Sequence, residues 1–409
     1  MRATGGDEDD PDHESETRPS VSLLPVFVHR SLWEFHLWDW PSGDSARRPS
    51  VPTRGCLAPE SPVDGFRRWA ATFPTQHAEK RASAIMRAAL VPNRMEPDDL
   101  REQRVPDPVV GPGQVLIDIR AAGCNFSDVL MLRGQYQVEP PMPFIPGREA
   151  SGVVSAVDSQ VEAFKVGDRV MAYTHLGAFA EQVSVDAQHV YRMPDAMPFE
   201  HAAAMPVVYP TSHAALVDRG ALRPGETLLV HAAAGGVGLA AVQIGRALGA
   251  RVIATAGGSE KLEKARAAGA EILIDYRSED FVPIVLEATE GRGADVIYDS
   301  VGGDTTDRSL KCIAWKGRLL IVGFAGGEIP EIRANRIMLK NISVVGLHWP
   351  VYAEQEPETV RGIYADLMEL YGGGGMTPLI QASYPLNEAG SALAALATRR
   401  TVGKVLVVP

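Results

Sequence analysis

The run Ala232-Ala233-Ala234-Gly235-Gly236-Val237-Gly238 places glycines where a chain must turn tightly and let its backbone approach a bound group. It follows the apolar stretch Thr227-Leu228-Leu229-Val230-His231 and leads into a helical pattern over 239–248. In that order a strand delivers the chain to the turn. The free N–H groups at the start of the helix then meet the charge of a pyrophosphate. Ala233 stands where the first glycine of G-x-G-x-x-G would be, so the bare string is degenerate. Its setting between strand and helix makes Ala233, Gly235, Gly236, Val237 and Gly238 the expected dinucleotide-binding turn.

About 20 residues further on, a site for NAD would place Asp or Glu on the ribose hydroxyls. The chain there reads Ala254-Thr255-Ala256-Gly257-Gly258-Ser259-Glu260-Lys261, with no carboxylate at the strand end. A hydroxyl at Ser259 and an ammonium at Lys261 suit a 2′-phosphate instead, so the expected cofactor is NADPH rather than NADH. The alternative for Lys261 is a solvated residue at the start of a helix over 260–268.

These residues need a scaffold. Apolar runs over 227–232, 251–255, 272–275, 295–299, 318–322 and 342–347 alternate with helical segments, the pattern of a doubly wound parallel α/β sheet. Before them, 86–206 carries short β-rich runs such as Val115-Leu116-Ile117-Asp118-Ile119 and Gly152-Val153-Val154, punctuated by Gly and Pro as in a small β-barrel. The end of the chain, Gly403-Lys404-Val405-Leu406-Val407-Val408, reads as a strand returning to that barrel. The expected organisation is a catalytic domain over 86–206, a Rossmann domain over 207–345 and a return to the catalytic domain over 346–409.

Residues 1–85 are dense in Pro, Ser, Arg and acidic residues without sustained periodicity and read as a disordered extension. Four of the six tryptophans (Trp33, Trp38, Trp40 and Trp69) fall there, which leaves a short docking segment as the alternative. A biological start at Met86 is a third reading. The formal charge of −11, with no Lys/Arg cluster, argues against nucleic acid as a partner. Neither a secretory signal nor a run of 18 apolar residues occurs, so no membrane partner is expected. Cys56, Cys124 and Cys312 are too scattered for a disulfide framework or a four-thiolate zinc site, which fits a cytoplasmic protein.

Five ordered motifs give the chain a family resemblance over 86–409: Ala121-Ala122-Gly123-Cys124-Asn125-Phe126-Ser127-Asp128, Pro146-Gly147-Arg148-Glu149-Ala150-Ser151-Gly152, Lys165-Val166-Gly167-Asp168-Arg169-Val170, the glycine turn, and Gly323-Phe324. With them the chain resembles the zinc-independent quinone oxidoreductases, the zeta-crystallin-like branch of the medium-chain dehydrogenase/reductase superfamily. The resemblance implies a GroES-like barrel for the first domain and a homodimer, with the edge strand over 342–347 as the interface. It further implies cofactor contacts at Gly323 and Phe324, Tyr276 against the ribose phosphate beside Lys261, and either Arg399 or Arg400 at the same phosphate.

Zinc-dependent relatives carry Cys in the first motif and His after Pro-Gly in the second, where this chain has Asn125 and Arg148. A neutral amide is a poor zinc donor and a guanidinium repels a cation, so no catalytic metal is expected. Without a Lewis acid the substrate must bring its own activation, as quinones, enones and enoyl thioesters do by conjugation. Asn125 and Tyr136 are the expected polar contacts in the cleft, Asn125 as a donor and Tyr136 as an orienting or protonating phenol. Arg148 is expected to pair with a carboxylate, or else to hold an acidic substrate group. His213 is expected at the start of a helix, in packing. The competing functions are a 2-enoyl-thioester or enone reductase and a low-turnover NADPH-binding protein.

Overall fold

The computed structural model describes residues 84–409 apart from Val138. All of these belong to one compact unit. The expected extension, with its tryptophans, lies outside the described residues except for Ala84 and Ile85. Ile85 already pairs with Pro106, so the first strand, Ile85–Leu90, begins one residue before Met86.

The strand Gln114–Gly123 organises the first half. Val115, Ile117 and Ile119 are buried while Leu116 and Asp118 are half exposed, the two-residue period of a strand with one face on a core. Its length lets it pair antiparallel with Glu149–Val157, Gln182–Asp186 and Lys404–Val408. The seven-stranded sheet runs Ile380–Pro385, Lys404–Val408, Gln114–Gly123, Glu149–Val157, Arg169–Tyr173, Val190–Arg192, with Gln182–Asp186 also on Gln114–Gly123. The C-terminal strand Lys404–Val408 lies in this sheet between Ile380–Pro385 and Gln114–Gly123.

The second half is a six-stranded sheet in the order Ile272–Asp275, Arg251–Ala256, Thr227–Val230, Ala294–Asp299, Ile313–Ile321, Ser343–Gly346, with every neighbouring pair parallel. Leu228, Val230, Val252, Ala254, Val296 and Tyr298 pack on one face with the helix Gly236–Ala247. Leu229, Ile253, Ile274, Ile297 and Leu319 pack on the other with Phe281–Ala288 and Gly303–Cys312. Burial on both faces explains why these strands read as apolar runs rather than alternating ones.

Two expectations about the chain path are corrected. The return to the barrel does not begin at 346, because Trp349–Gln355 and Pro357–Gly372 put Trp349, Ala353, Val360, Ile363, Tyr364 and Leu367 into the core shared with the parallel sheet. The chain rejoins the barrel only from the strand Ile380–Pro385 onward. His213 does not open a helix but lies within one, where Val208–His213, with Pro210 in its first turn, runs on without a break into the π-helical segment Ala214–Arg219. Its imidazole is buried with Nε2 3.5 Å from Asp366, which suits packing.

Candidate active site

The strand order reverses between Thr227–Val230 and Ala294–Asp299, and ligands of open parallel sheets bind beyond the strand ends at such a point. Here the chain leaves Val230 through His231 and turns at Ala232, whose φ of +49° is left-handed and strained for a residue with a Cβ. Ala233 donates its N–H to Thr255 O at 3.0 Å, and its methyl group is buried in the core, so alanine is accommodated in the place of the first glycine. Gly238 is not replaceable in this way. A Cβ there would stand 2.3 Å from Ala232 O. The helix starts at Gly236, which leaves the amides of Gly236, Val237 and Gly238 without intrahelical acceptors. His231 anchors the turn from beneath, with Nδ1 3.0 Å from Thr255 Oγ1 and Nε2 2.8 Å from Ser309 Oγ. Burial pushes its pKa down to about 4 and keeps it neutral.

Gly323 and Phe324 lie on the opposite bank. Their loop is held to the one after Asp299 by Val322 N to Asp299 O (2.9 Å) and Ala325 N to Ser300 O (3.0 Å). The Asp299 carboxylate accepts from the amides of Val301 and Gly302 and from Thr306 Oγ1.

At the end of Arg251–Ala256 lie Lys261, in the first turn of the helix Ser259–Ala268, and Tyr276, which follows the neighbouring strand Ile272–Asp275. Lys261 Nζ donates to the carbonyl of Arg399 at 2.7 Å, and half the ring of Tyr276 is exposed. Of the two candidate arginines, Arg399 thus approaches Lys261 through its backbone, in a left-handed conformation at φ +55°. The sequence reading missed Arg277. A Cβ on Gly257 would lie 2.7 Å from Arg277 Nε and 2.8 Å from Tyr276 Oη, and one on Gly258 would lie 3.2 Å from Arg277 Nη1. Burial and then the neighbouring Arg277 charge lower the pKa of Lys261. Among the described residues no carboxylate forms an ion pair with Lys261 or Arg277, although the Glu260 charge acts on Lys261, and Gly257 lets Arg277 and Tyr276 pack close to the strand end.

Across the cleft the Asn125 amide is engaged on both sides. Oδ1 accepts from Lys404 Nζ at 2.8 Å and Nδ2 donates to Glu149 Oε1 at 2.7 Å, with a second contact of 3.5 Å to Gly123 O. Lys404 reaches Glu149 Oε1 at 2.5 Å and Cys124 O at 2.7 Å, and Glu149 Oε2 accepts from Val207 N at 2.7 Å. Both charged groups are almost wholly buried. Cys124 is packed and its thiol is pushed well up by burial, so it serves as a small core residue.

Arg148 does not take the carboxylate partner expected for it. Its Nη2 lies 2.5 Å from Tyr173 Oη and its Nη1 3.1 Å from Tyr136 Oη and 3.4 Å from Ser127 Oγ, while Nε is buried without a partner. The reason is local: Glu149 points to the other side of the strand and is held by Lys404, and the charge that Asp128 brings stays beyond ion-pair distance. Arg148 and Tyr136 line a small, mainly apolar cavity, with room for little more than a water molecule, together with Met131, Pro140, His175, Leu176 and Pro350. Because Tyr136 Oη accepts from the guanidinium, its own proton is left to donate elsewhere. Glu149, Lys404 and Tyr173 were not singled out in the sequence. Their signal was a charge set within an apolar strand run, as in Arg148-Glu149-Ala150 and Gly403-Lys404-Val405.

A parallel sheet with a glycine turn at its switch point, set between two parts of a mainly antiparallel barrel with a buried arginine at the wall of a small apolar cavity, defines a two-domain oxidoreductase of the medium-chain type. Residues 111–195 match the family described as alcohol dehydrogenase GroES-like domain, and residues 236–368 that described as zinc-binding dehydrogenase. The quinone oxidoreductase-like protein 2 homolog of Nematostella vectensis is 39% identical over 301 residues, 73% of this chain and 82% of that protein. The human synaptic vesicle membrane protein VAT-1 homolog is 34% identical over 326 residues, 76% and 82% of the two chains. The solved Escherichia coli quinone oxidoreductase in complex with NADPH superposes with a TM-score of 0.73 at 32% identity, covering 80% of this chain and 99% of that one. The chain belongs to the quinone oxidoreductase branch of the medium-chain dehydrogenase/reductase superfamily.

Proposed function

We propose that the protein reduces quinones or other conjugated carbonyl compounds with NADPH and without a catalytic zinc. The observation that carries this reading is Arg148, a buried guanidinium paired with phenols rather than a carboxylate, at the wall of the cavity. It brings a fixed positive charge to a place where a metal-dependent relative would use an ion. NADPH fits the chain's own residues: the glycine turn with three amides lacking intrahelical acceptors for the pyrophosphate, and, for the 2′-phosphate, Tyr276 and Arg277 beside Gly257 with Ser259 and Lys261 in the first turn of the following helix. When bound, it supplies a hydride.

The protein's residues do the rest. The guanidinium of Arg148 stabilises negative charge growing on a substrate oxygen, in a wall of Met131, Pro140, Leu176 and Pro350 that excludes water and strengthens the interaction. Tyr136 holds its hydroxyl proton ready at the same cavity, its oxygen fixed by Arg148. Asn125, immobilised by Glu149 and Lys404, shapes the far wall and retains one weakly engaged N–H. Zinc independence follows from the same side chains, since Asn125 and Arg148 are both committed to other partners.

No helix among the described residues is long and apolar enough to cross a membrane. We place the protein in the cytoplasm as a homodimer, with a small-molecule substrate and no nucleic-acid partner. The dimer reading is supported by the edge strand Ser343–Gly346, flanked by the exposed Met338 and Leu339 and by Ile329.

The test is NADPH oxidation against a panel of quinones, enones and enoyl thioesters, with and without a strong chelator. Turnover of quinones or enones unaffected by chelation is expected, and Arg148→Leu should lower kcat/KM about a hundredfold or more, the scale of losing one charge-stabilising group. Preference for enoyl thioesters, or tight NADPH binding without turnover, would replace the quinone reading. Activity that is lost when stoichiometric zinc is removed and restored by its return would overturn zinc independence.

A further inference from the structure

Beside the proposed reaction cavity, which His175 also lines, two barrel histidines and one carboxylate from the opposite side of the cleft converge on a single point. His175 follows the strand Arg169–Tyr173, His189 sits in the turn before Val190–Arg192, and Glu354 comes from the helix Trp349–Gln355, which packs with the nucleotide half. Glu354 Oε1 is 3.0 Å from His175 Nε2 and 3.4 Å from His189 Nε2, and the three donor atoms lie within 4.8 Å of one another. We propose that His175, His189 and Glu354 form a binding site for a divalent ion of the zinc class, adjoining the proposed reaction cavity through His175, that ties the barrel to the helix Trp349–Gln355.

The donor set is what such an ion takes: two imidazole nitrogens and one carboxylate oxygen, with a fourth position for water. Bonds of about 2.0–2.1 Å in a tetrahedron put neighbouring donors about 3.3 Å apart, and two of the three separations already match. Both rings are almost fully buried and their orientations are set by packing. His175 lies 4.4 Å from Tyr173 and 4.9 Å from His189, centroid to centroid, and the two histidine rings are nearly perpendicular. The side chain of Glu354 is 42% exposed, which leaves a way in for the ion and a place for the water.

The other groups facing the cluster set its strength. The Gln188 amide is 3.3 Å from His189 Nε2 and, turned over, would offer its oxygen to the ion. The Arg148 charge also acts on His175 and works against a dication. Three ligands with one opposing charge point to a Kd on the order of micromolar rather than the far tighter binding of four-ligand structural sites.

The experiment uses the full chain, stripped with a chelator and titrated with zinc chloride in competition with a chromophoric chelator. One equivalent should bind with a Kd on the order of micromolar, raising Tm by about 2–5 °C at saturating zinc. His189→Gln and Glu354→Gln should each weaken binding at least tenfold and leave NADPH oxidation in zinc-free buffer unchanged, neither residue belonging to the proposed catalytic or cofactor machinery. Cobalt(II) should give visible bands of a four-coordinate site in the parent protein and lose them in both variants. Glu354 lies at the surface, so its variant keeps the test decisive if the buried His189 variant folds poorly. Absence of a stoichiometric ion, or the same affinity in Glu354→Gln as in the parent, would overturn the site.

Discussion

Lys404 commits all three ammonium protons, to Glu149 Oε1, Asn125 Oδ1 and Cys124 O, and it does so with almost no exposure to water. A buried ion pair of this kind need not be more stabilising than an apolar pair of the same shape, but half of one is costly. Lys404→Met strands the Glu149 carboxylate and should lower stability by about 3–5 kcal/mol, measured by urea unfolding, whereas Lys404→Met combined with Glu149→Gln should recover most of the loss. Additive losses in the double variant would mean that the two groups are not coupled. At the opposite end of the cleft, Lys261→Ala and Arg277→Ala should each weaken NADPH binding roughly ten- to a hundredfold, the scale of one charge-assisted hydrogen bond, and leave NADH nearly untouched. The position for the reverse change is decided by packing. Ala256, at the strand end, is buried in the core and would place a carboxylate among apolar side chains, whereas a Cβ on Gly257 points at Arg277 and Tyr276. Gly257→Asp should therefore set a carboxylate against Arg277 and shift preference toward NADH, as titrations with both cofactors would reveal. Equal losses for both would point to misfolding instead.

Among the elements, the strand, turn and helix of 227–247 depend on one buried imidazole. His231 lies under the turn with Thr255, Ser309 and the ring of Phe281 around it. In the unfolded chain a histidine takes up its proton below about pH 6.5, but this one does so only below about 4 in the fold. Between those values the unfolded state holds the extra proton, so folding stability falls as the pH falls from 6.5 towards 4. The full difference corresponds to about 3 kcal/mol. Thermal unfolding followed from pH 7 to pH 4 should therefore show a shallower fall for His231→Gln than for the parent, and parallel curves would remove the imidazole as the cause. The flanking sequence was read well here because a parallel strand buried on both faces leaves an unbroken apolar run. It was read less well at 313–321, found to extend five residues before the expected 318, since Trp315 and Lys316 are exposed there and mask the apolar run.

On the scale of the whole molecule, the edge strand Ser343–Gly346 pairs with Ile313–Ile321 on one side only among the described residues. The helix Ala334–Lys340 beside it has no buried residue and exposes Met338 and Leu339 by more than two thirds. A second copy continuing the sheet across this edge would cover these groups on both protomers at once, as a two-fold interface does. Light scattering at micromolar concentration should give the mass of a dimer, and Val344→Pro, which removes an edge N–H, should shift it towards the monomer. A monomer at that concentration in the parent protein would exclude the arrangement.

The sequence alone was sufficient for what depends on local order along the chain. A strand feeding a glycine turn and a helix, six apolar runs at alternating spacing, and a missing carboxylate after the second strand are all one-dimensional signals of an α/β nucleotide domain and its cofactor. Tertiary structure decided what depends on distant parts of the chain meeting. Glu149 and Lys404 are 255 residues apart, and Arg277 closes on Gly257 only because the strands Arg251–Ala256 and Ile272–Asp275 lie side by side. The partner of Arg148 could not be read from composition, because a guanidinium favours a carboxylate but donates to a phenol as well, and only the course of the barrel strands brings Tyr136 and Tyr173 within reach. His175, His189 and Glu354 carry no spacing signal for the same reason, two of them coming from the barrel and the third from a helix whose packing against the parallel sheet brings it back to the cleft.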